Sequence, residues 1–285
     1  MNLGYLIIVI SMLIWGSMGV FVRHIDQMPQ VIVFFRVFIS FIVMGIVGLI
    51  KKEKKSNKEY KMNKREYLLL LLSGVFISLN WMFFFKAIKI TTIASATLSY
   101  YAAPIIVTVL SVFIIKEKIN LRTLIAVGLS FSGIVFMTIN GEGTSNNFNI
   151  QGVIYGLIAA FFYALVTISV KKLEKVSSYK IMMFQMGVSS LIFLPSLKQM
   201  NKFDIISLIS IIIIGVVHTC MALRLYFEGI KRVKVQYVGV LSYIDPLSAV
   251  VLAVIFFSEV PGYTTIIGGA LILIATYIIL NNEKA

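Results

Sequence analysis

The second half of this 285-residue chain repeats its first half at a nearly constant spacing. The apolar segment AIKITTIASATLSYYAAPIIVTVLSVFIIKEKI begins at Ala87, and its copy GIKRVKVQYVGVLSYIDPLSAVVLAVIFFSEV begins 142 residues later, at Gly229. The same spacing pairs identical residues in the two copies: Lys231 with Lys89, Tyr243 with Tyr101, Pro246 with Pro104 and Glu259 with Glu117. Nearer the N-terminus, a spacing of 148 to 149 residues gives three further pairs: Gly152 with Gly4, Lys171 with Arg23 and Gln185 with Arg36. A chain duplicated in this way is expected to fold as two similar halves.

The composition is that of a membrane protein with many spans. Apolar residues make up 59% of the chain and charged residues 13%, whereas soluble domains hold about 45–50% apolar and about 25% charged residues. The single cysteine, Cys220, excludes a disulfide framework within the chain. A net charge of +14 would favour nucleic acid in a soluble protein. In a membrane protein its distribution over the loops matters more, and we expect no nucleic-acid partner.

Ten apolar segments of about 17–23 residues are long enough to cross the ~30 Å hydrocarbon core of a bilayer. They lie near 3–22, 31–50, 67–86, 94–115, 121–139, 152–170, 180–197, 205–227, 235–257 and 263–281. The first segment lacks the basic start and the cleavage site of a secretory signal, so it is interpreted as a span. We therefore expect an all-α polytopic membrane protein of ten transmembrane helices.

The lysines and arginines set the orientation of these spans. With the N-terminus inside, the inner loops hold 19 of these residues and the outer loops hold five, so both termini are predicted to be cytoplasmic. Because each half has five spans, the second half enters the membrane in the opposite sense to the first. The repeats are residues 1–139 and 152–285, joined by an extracytoplasmic linker at 140–151. The basic loop 51–66 fits a topology determinant that also attracts anionic lipids.

Asp245 is the acidic residue nearest to the middle of a predicted span, directly before Pro246. A charge at that depth costs about 2.5–3.5 kcal/mol on insertion scales, so it should face a cavity or a partner. Loss of water favours the protonated carboxyl, which suits proton coupling. The alternative is a hydrogen-bonded aspartate that ties two helices together. Pro104 and Pro246 each remove a backbone hydrogen bond and are expected to kink their helices.

Tyr101 and Tyr243 lie on the polar faces of the two proline-containing spans, where they line a cavity or pack against a neighbouring helix. Arg36 lies about a third of the way in from the outer surface. It is predicted either to attract an anionic group or to pair with helix-end carbonyls. Its repeat counterpart Gln185 keeps a polar group at the equivalent inner depth. Arg224 is close to the inner interface, where a snorkelling side chain is expected.

Three further polar or aromatic residues are candidates for the transport pathway. His218 is either a proton relay or a hydrogen-bonded packing residue. Asn80 and Trp81 are placed either to contact a substrate or, for Trp81, to lie in the outer aromatic belt.

Signatures of enzymes are missing from the sequence. It has no HExxH motif, no paired intramembrane aspartates, no GxSG motif and no cysteine–histidine cluster. It also lacks a Walker A motif, so ATP is not expected to drive it. We predict no enzyme activity, no metal and no cofactor.

Several segments resemble a known family. LIWGSMGVFVRHI in the first span, FFRVFIS in the second, and two proline segments ending in KEK and SEV are similar to the EamA-type permeases of the drug/metabolite transporter superfamily. The resemblance implies a bacterial inner-membrane protein that exports amino acids or other small metabolites. It also implies a central cavity at the fourth and ninth spans, and peripheral fifth and tenth spans that can form a dimer contact. An aspartate before the second proline is not general in that family, so the role of Asp245 rests on physical argument.

These observations favour a secondary active transporter of small metabolites such as amino acids, an exporter coupled to protons that works by alternating access. An uncoupled facilitator or importer is the first alternative. A non-transporting membrane component, such as a scramblase or a scaffold, is the second. The repeat also shows where the halves differ: Asp245 pairs with Ala103, Arg36 with Gln185 and Arg224 with Met82.

Overall fold

The computed structural model of the chain describes residues 3–22, 24–50, 62–91, 96, 99–139, 149–258 and 262–281. All regular secondary structure in these ranges is helical. Several sequence predictions fall outside the described residues: most of the basic loop 51–66, most of the linker 140–151, and the repeat positions Arg23 and Glu259.

The described residues form thirteen α-helices, numbered here in chain order. They are α1 Leu3–Gly16, α2 Met18–Val22, α3 Pro29–Ile50, α4 Lys64–Ile90, α5 Ala103–Leu110, α6 Leu121–Ile139, α7 Ile150–Lys172, α8 Ser178–Phe193, α9 Ile205–Ile213, α10 Ala222–Arg232, α11 Val235–Leu241, α12 Ile244–Phe257 and α13 Tyr263–Asn281. A π-helical segment, Ser111–Ile115, extends α5, and a second, Ile214–Met221, joins α9 to α10. A 3₁₀ segment, Leu194–Gln199, extends α8.

Seven of the ten predicted spans correspond to helical stretches that are long and apolar enough to cross a membrane. These stretches are Leu3–Val22, Pro29–Ile50, Lys64–Ile90, Ile150–Lys172, Ser178–Gln199, Ile205–Arg232 and Val235–Phe256. Three shorter apolar helices, Ala103–Ile115, Leu121–Phe136 and Ile266–Asn281, lie where the fourth, fifth and tenth spans were predicted. The fourth is short partly because the predicted span begins at residues outside the described part of the chain.

Polar side chains in the connections begin several of the helices. Asn63 and Glu66 form a capping box at the start of α4, with the Glu66 N–H donating to Asn63 Oδ1 over 2.9 Å. At the start of α9, the Ser207 N–H donates to Asp204 Oδ1 over 2.7 Å. The hydrogen bonds from Ser207 lower the pKa of the exposed Asp204 carboxyl below its ordinary value. These caps fix the residues at which the two apolar helices begin.

Both predicted kinks are breaks between helices. Pro104 lies in the first turn of α5, after a turn at Tyr101 and Ala102, and Pro246 lies in the first turn of α12, after a turn at Ser242 and Tyr243. Proline is accommodated there because the first turn of a helix has no internal acceptors for its N–H groups. The predicted ninth span is thus two short helices, α11 and α12, separated by a turn at Ser242 and Tyr243.

The helix packing has the same pattern in both halves. α4 packs along α7, and the repeat-related α10 packs along α1. α5 packs on α7, and the related α12 packs on α1. Two other extensive pairs, α3 with α8 and α6 with α13, each join a helix to its own counterpart. The packing of α4 on α8 is matched by that of α3 on the π-helical segment Ile214–Met221. Each principal contact therefore has a partner under exchange of the two repeats.

A cluster of buried apolar side chains lies near the helix ends that carry Lys171 and Lys231. Tyr5, Ile8, Val170, Leu173 and Tyr237 are all at most 2% exposed, and the rings of Tyr5 and Tyr237 are 6.2 Å apart. This packed region closes one end of the bundle.

Candidate functional site

A cavity of about 250 Å³ lies in the middle of the bundle, lined by residues of both halves. Its charged members are Arg36 from α3 and Asp245 from α12. Nine of its 21 lining residues are phenylalanine, tyrosine or tryptophan, among them Trp15, Trp81, Phe84, Phe85, Tyr163 and Tyr226. The cavity is therefore an apolar chamber that contains one positive and one negative side chain.

Asp245 enters the cavity from the break between α11 and α12. Its backbone N–H donates to Ser242 O over 3.3 Å, which fixes the first turn of α12. The structure gives its carboxylate no hydrogen bond or ion pair with any described residue. Tyr100 and Tyr101 are close enough to interact electrostatically with it. Asp245 does not tie two helices together through its side chain, so within the described residues the structural alternative lacks support.

Arg36 is 9% exposed and its guanidinium contacts only neutral groups among the described residues. Nε donates to Thr219 Oγ1 over 3.1 Å, and one terminal nitrogen donates to Met18 Sδ over 3.8 Å. The guanidinium carbon lies 4.7 Å from the centre of the Trp81 ring, a cation–π contact. Among the residues that the structure describes, Arg36 donates to no helix-end carbonyl, and it lies in the cavity wall.

His218 reaches the cavity from the π-helical segment Ile214–Met221. Ser17 Oγ donates its proton to Ile14 O over 2.7 Å, so His218 Nε2 must donate to Ser17 Oγ over 2.9 Å. His218 Nδ1 is buried and has no hydrogen-bond partner in the described part of the chain. Trp15 Nε1 also donates to His218 O over 2.7 Å. His218 thus has one ring nitrogen held by a hydrogen bond to Ser17, and it also lines the cavity.

Asn80 and Trp81 both line the cavity from α4. Asn80 Nδ2 donates to Ala159 O over 2.8 Å and lies 3.5 Å from the Tyr100 hydroxyl, so it joins α4 to α7 and faces the chamber. Trp81 is half-buried under Arg36, which favours the cavity interpretation of this residue over the aromatic belt.

The two predicted tyrosines have different positions. Tyr101 lines the cavity, whereas Tyr243 is fully buried behind it. The Tyr243 hydroxyl donates to Tyr101 O over 2.8 Å, and the two rings are 6.2 Å apart. Tyr243 therefore supports the turn that precedes α5. Pro104 lines the cavity, and Pro246 lies outside the lining.

Both halves of the chain match the same known family. Residues 2–139 and 150–281 each match the EamA-like transporter family. The chain belongs to this family. An uncharacterized transporter of Archaeoglobus fulgidus is 30% identical over 275 residues, covering 96% of the chain and 94% of that protein. The uncharacterized transporter YxxF of Bacillus subtilis is 29% identical, covering 87% and 80%. The protein RarD of Salmonella typhi is 24% identical, covering 95% and 92%.

The fold is also found among solved structures. One crystal structure superposes with a TM-score of 0.82 over 97% of this chain and 98% of the other, at 18% sequence identity. At that identity the likeness concerns the fold alone. The chain is a multi-pass membrane protein of the drug/metabolite transporter superfamily with two EamA domains.

Two residues predicted for the pathway of this EamA protein lie away from the cavity. Gln185 is completely buried between α8 and α4, where Nε2 donates to Ser73 Oγ over 3.1 Å. This contact repeats the Arg36–Thr219 contact in the other half. Arg224 is exposed on α10, in agreement with a snorkelling side chain.

Sequence reasoning missed a polar cluster on the cavity wall of this EamA protein. The Tyr163 hydroxyl lies 2.5 Å from the Tyr226 hydroxyl and 3.2 Å from Ser242 Oγ, joining α7, α10 and the turn before Asp245. Tyrosine hydroxyls in the interior of predicted spans need hydrogen-bond partners, and that requirement was the available signal. Their partners are far apart in sequence, so the sequence alone does not reveal the cluster.

Proposed function

We propose that the protein is a secondary active transporter that exports small metabolites such as amino acids in exchange for protons, by alternating access. The observation that carries this proposal is the central chamber, which contains a guanidinium and a carboxylate that are not paired with each other. Buried charges without counter-ions are unfavourable. Neutralisation of these charges by a ligand or a proton would offset the cost of burying them.

The size of the chamber supports a small substrate. Its volume of about 250 Å³ is smaller than the ~300–1,000 Å³ of pockets that bind drug-sized ligands. A lipid scramblase would need a continuous polar path along the bundle surface. A scaffold would need no chamber with charged side chains.

The exchange pattern of the helix contacts supports alternating access. If the charge distribution orients the chain with both termini inside, the related helices run in opposite senses across the membrane. Swapping the conformations of the two halves would then open the chamber to the other side. The packed region around Tyr5 and Tyr237 lies at the cytoplasmic end, so the described conformation is closed to the cytoplasm.

Hydrogen bonds from two lysines hold this cytoplasmic end together. Lys231 Nζ donates to Val176 O and, over 2.8 Å, to Ser178 Oγ. Lys171 Nζ donates to Lys231 O and, over 3.0 Å, to Val233 O. These bonds connect the ends of α7, α8 and α10, and we infer that these ends separate when the chamber opens to the cytoplasm.

We therefore expect Lys231→Met to populate the inward-open conformation about tenfold more, because a hydrogen bond from a charged group contributes roughly 1.5–3 kcal/mol. The reporter is Val238→Cys, a fully buried position, in a Cys220→Ala background. An impermeant maleimide is applied to the cytoplasmic face of inside-out vesicles, and faster labelling is expected. Lys172→Met, an exposed neighbour, serves as control. Equal labelling rates in all three proteins would contradict the role of Lys231.

Cysteine accessibility separates a transporter from a scaffold. We expect a small thiol reagent to label Tyr101→Cys and Asp245→Cys, which line the chamber, while Tyr243→Cys, 0% exposed, remains protected. Labelling of the first two should slow when substrate is added. Protection of all three positions would favour a scaffold over a transporter.

Flux is the direct test of the function. Proteoliposomes are loaded with a mixture of the twenty amino acids, and efflux is followed by mass spectrometry with and without an inward proton gradient. Efflux that the gradient accelerates supports proton exchange. Efflux that responds only to the amino-acid gradient indicates an uncoupled facilitator, and no efflux above protein-free liposomes removes amino-acid export.

The cellular setting is part of the same proposal. We place the protein in a bacterial inner membrane, with the basic loop 51–66 against anionic headgroups. The paired helices α6 and α13 carry exposed apolar side chains such as Leu124 and Ile266, which suit lipid or a dimer contact.

A further inference from the structure

The guanidinium of Arg36 has N–H groups for which the described residues supply no acceptor. Its two hydrogen-bond partners in that part of the chain, Thr219 and Met18, are neutral, and Trp81 covers one face. The guanidinium has five N–H groups, so several remain without a protein acceptor among the described residues. At 9% exposure the residue has little contact with bulk water.

The orientation of this guanidinium is fixed from behind. Thr219 Oγ1 donates to Ile214 O over 2.9 Å, five residues earlier, because the chain is π-helical there. With its proton committed to Ile214, the Thr219 oxygen can only accept from Arg36 Nε. The π-helical turn and the Trp81 ring therefore hold the terminal nitrogens towards the chamber.

The opposite charge in the chamber is not available to Arg36. No ion pair joins Arg36 to Asp245 among the described residues, which leaves each free to bind a different part of one ligand. Aromatic residues such as Trp15, Phe84 and Tyr226 form the wall. A compact molecule with an anionic end, a cationic end and an apolar body would satisfy all three features.

We propose that Arg36, positioned by Thr219 and Trp81, binds the carboxylate of the transported substrate. This subsite rests on the proposed function and deepens it, because it selects carboxylate-bearing zwitterions among the small metabolites. Guanidinium and carboxylate groups form paired, charge-assisted hydrogen bonds of matching geometry. The second repeat has no equivalent cation at this position, because the counterpart of Arg36 is Gln185, which donates a hydrogen bond to Ser73.

The test compares three probes of similar shape. Leucine carries both charges, leucinamide lacks the carboxylate, and 4-methylpentanoate lacks the ammonium. Binding is measured by calorimetry and by the shift in Tm of the purified protein. For the parent protein, we expect leucine to bind at least about tenfold more tightly than leucinamide, the effect of losing a charge-assisted pair.

Arg36→Gln reproduces the residue of the other repeat and is expected to abolish the preference for leucine over leucinamide. Arg36→Lys keeps the charge but loses the hydrogen-bond geometry, so it should retain a reduced preference and serves if the glutamine variant does not fold. Arg224→Gln, at an exposed arginine, is the matched control and should bind like the parent. Equal binding of leucine and leucinamide by the parent would overturn the proposal. So would an unchanged preference in the Arg36→Gln variant, or no binding of any probe.

Two further measurements distinguish a carboxylate subsite from a general anion site, and its failure from failure of the proposed function. Leucine affinity at low and at high chloride concentration should agree, and strong competition by chloride would indicate a general anion site instead. Transport of a metabolite without a carboxylate would leave the proposed function standing and remove the subsite. Leucine binding through Arg36 without any flux would leave the subsite standing and remove the proposed transport function.

Discussion

Asp245→Asn is expected to make amino-acid efflux from proteoliposomes insensitive to an imposed proton gradient and to lower its rate about tenfold or more. Asparagine has the shape of aspartate but cannot exchange a proton or carry a charge. The carboxylate has no protein partner among the described residues, so the variant should fold without leaving a broken ion pair. A tenfold loss corresponds to about 1.4 kcal/mol, modest for the removal of a buried charge that binds a ligand or a proton.

The control for this experiment is Asp204→Asn. Asp204 is exposed and its carboxylate caps α9, a role that asparagine fills equally well. Efflux by this variant should keep the rate and the gradient dependence of the parent. Gradient dependence that survives in Asp245→Asn would remove Asp245 from proton coupling and leave it, at most, as a contact for the substrate amine.

Gly16→Val is expected to lower the Tm of the purified protein and to abolish efflux. A Cβ built on Gly16 would lie 2.8 Å from Asp245 O and 2.9 Å from Ala249 N. These are backbone atoms that cannot rotate away, so α1 and the first turn of α12 must separate. Overpacking of this kind costs typically about 1–3 kcal/mol, and it displaces the turn that positions Asp245.

Gly128→Val tests whether valine in a helix is itself the cause. No heavy atom lies within 4 Å of a Cβ built on Gly128 in α6, so the substitution has the same effect on helix propensity without the clash. Its Tm and efflux should match those of the parent. A Gly16→Val protein as stable and active as this control would show that the close approach of α1 to α12 is not required.

The charged residues of the chamber could be predicted because a charge in an apolar segment is unfavourable wherever the segment lies. Asp245 and Arg36 stand out on that ground alone, and the structure places both in the cavity wall. The same reasoning fails for Gln185, which occupies the position equivalent to Arg36 but is used in packing. An uncharged amide can be buried with a single hydrogen bond to a serine, although its oxygen then has no partner among the described residues. Its sequence position therefore does not distinguish a ligand site from a helix contact.

The backbone departures from regular helix could not be read from the sequence. Proline indicated an irregularity at residues 104 and 246, but whether the helix bends or ends there depends on the packing of the preceding turn. The π-helical segment Ile214–Met221 has no marker at all in its apolar sequence. It arises from tertiary contacts, including those of Trp15 and Arg36 with His218 and Thr219, which lie about 200 residues apart in the chain.

Arg36 and Asp245 belong to different repeats, and this placement has a thermodynamic consequence. A ligand that touches both is bound by the two halves at once, so its binding free energy depends on how one half is displaced against the other. The affinity of the chamber and the equilibrium between its two conformations are then linked by a single coupling free energy. A substitution that shifts the resting conformation changes affinity without touching the ligand, and a ligand that spans the charges shifts the conformation by the same amount.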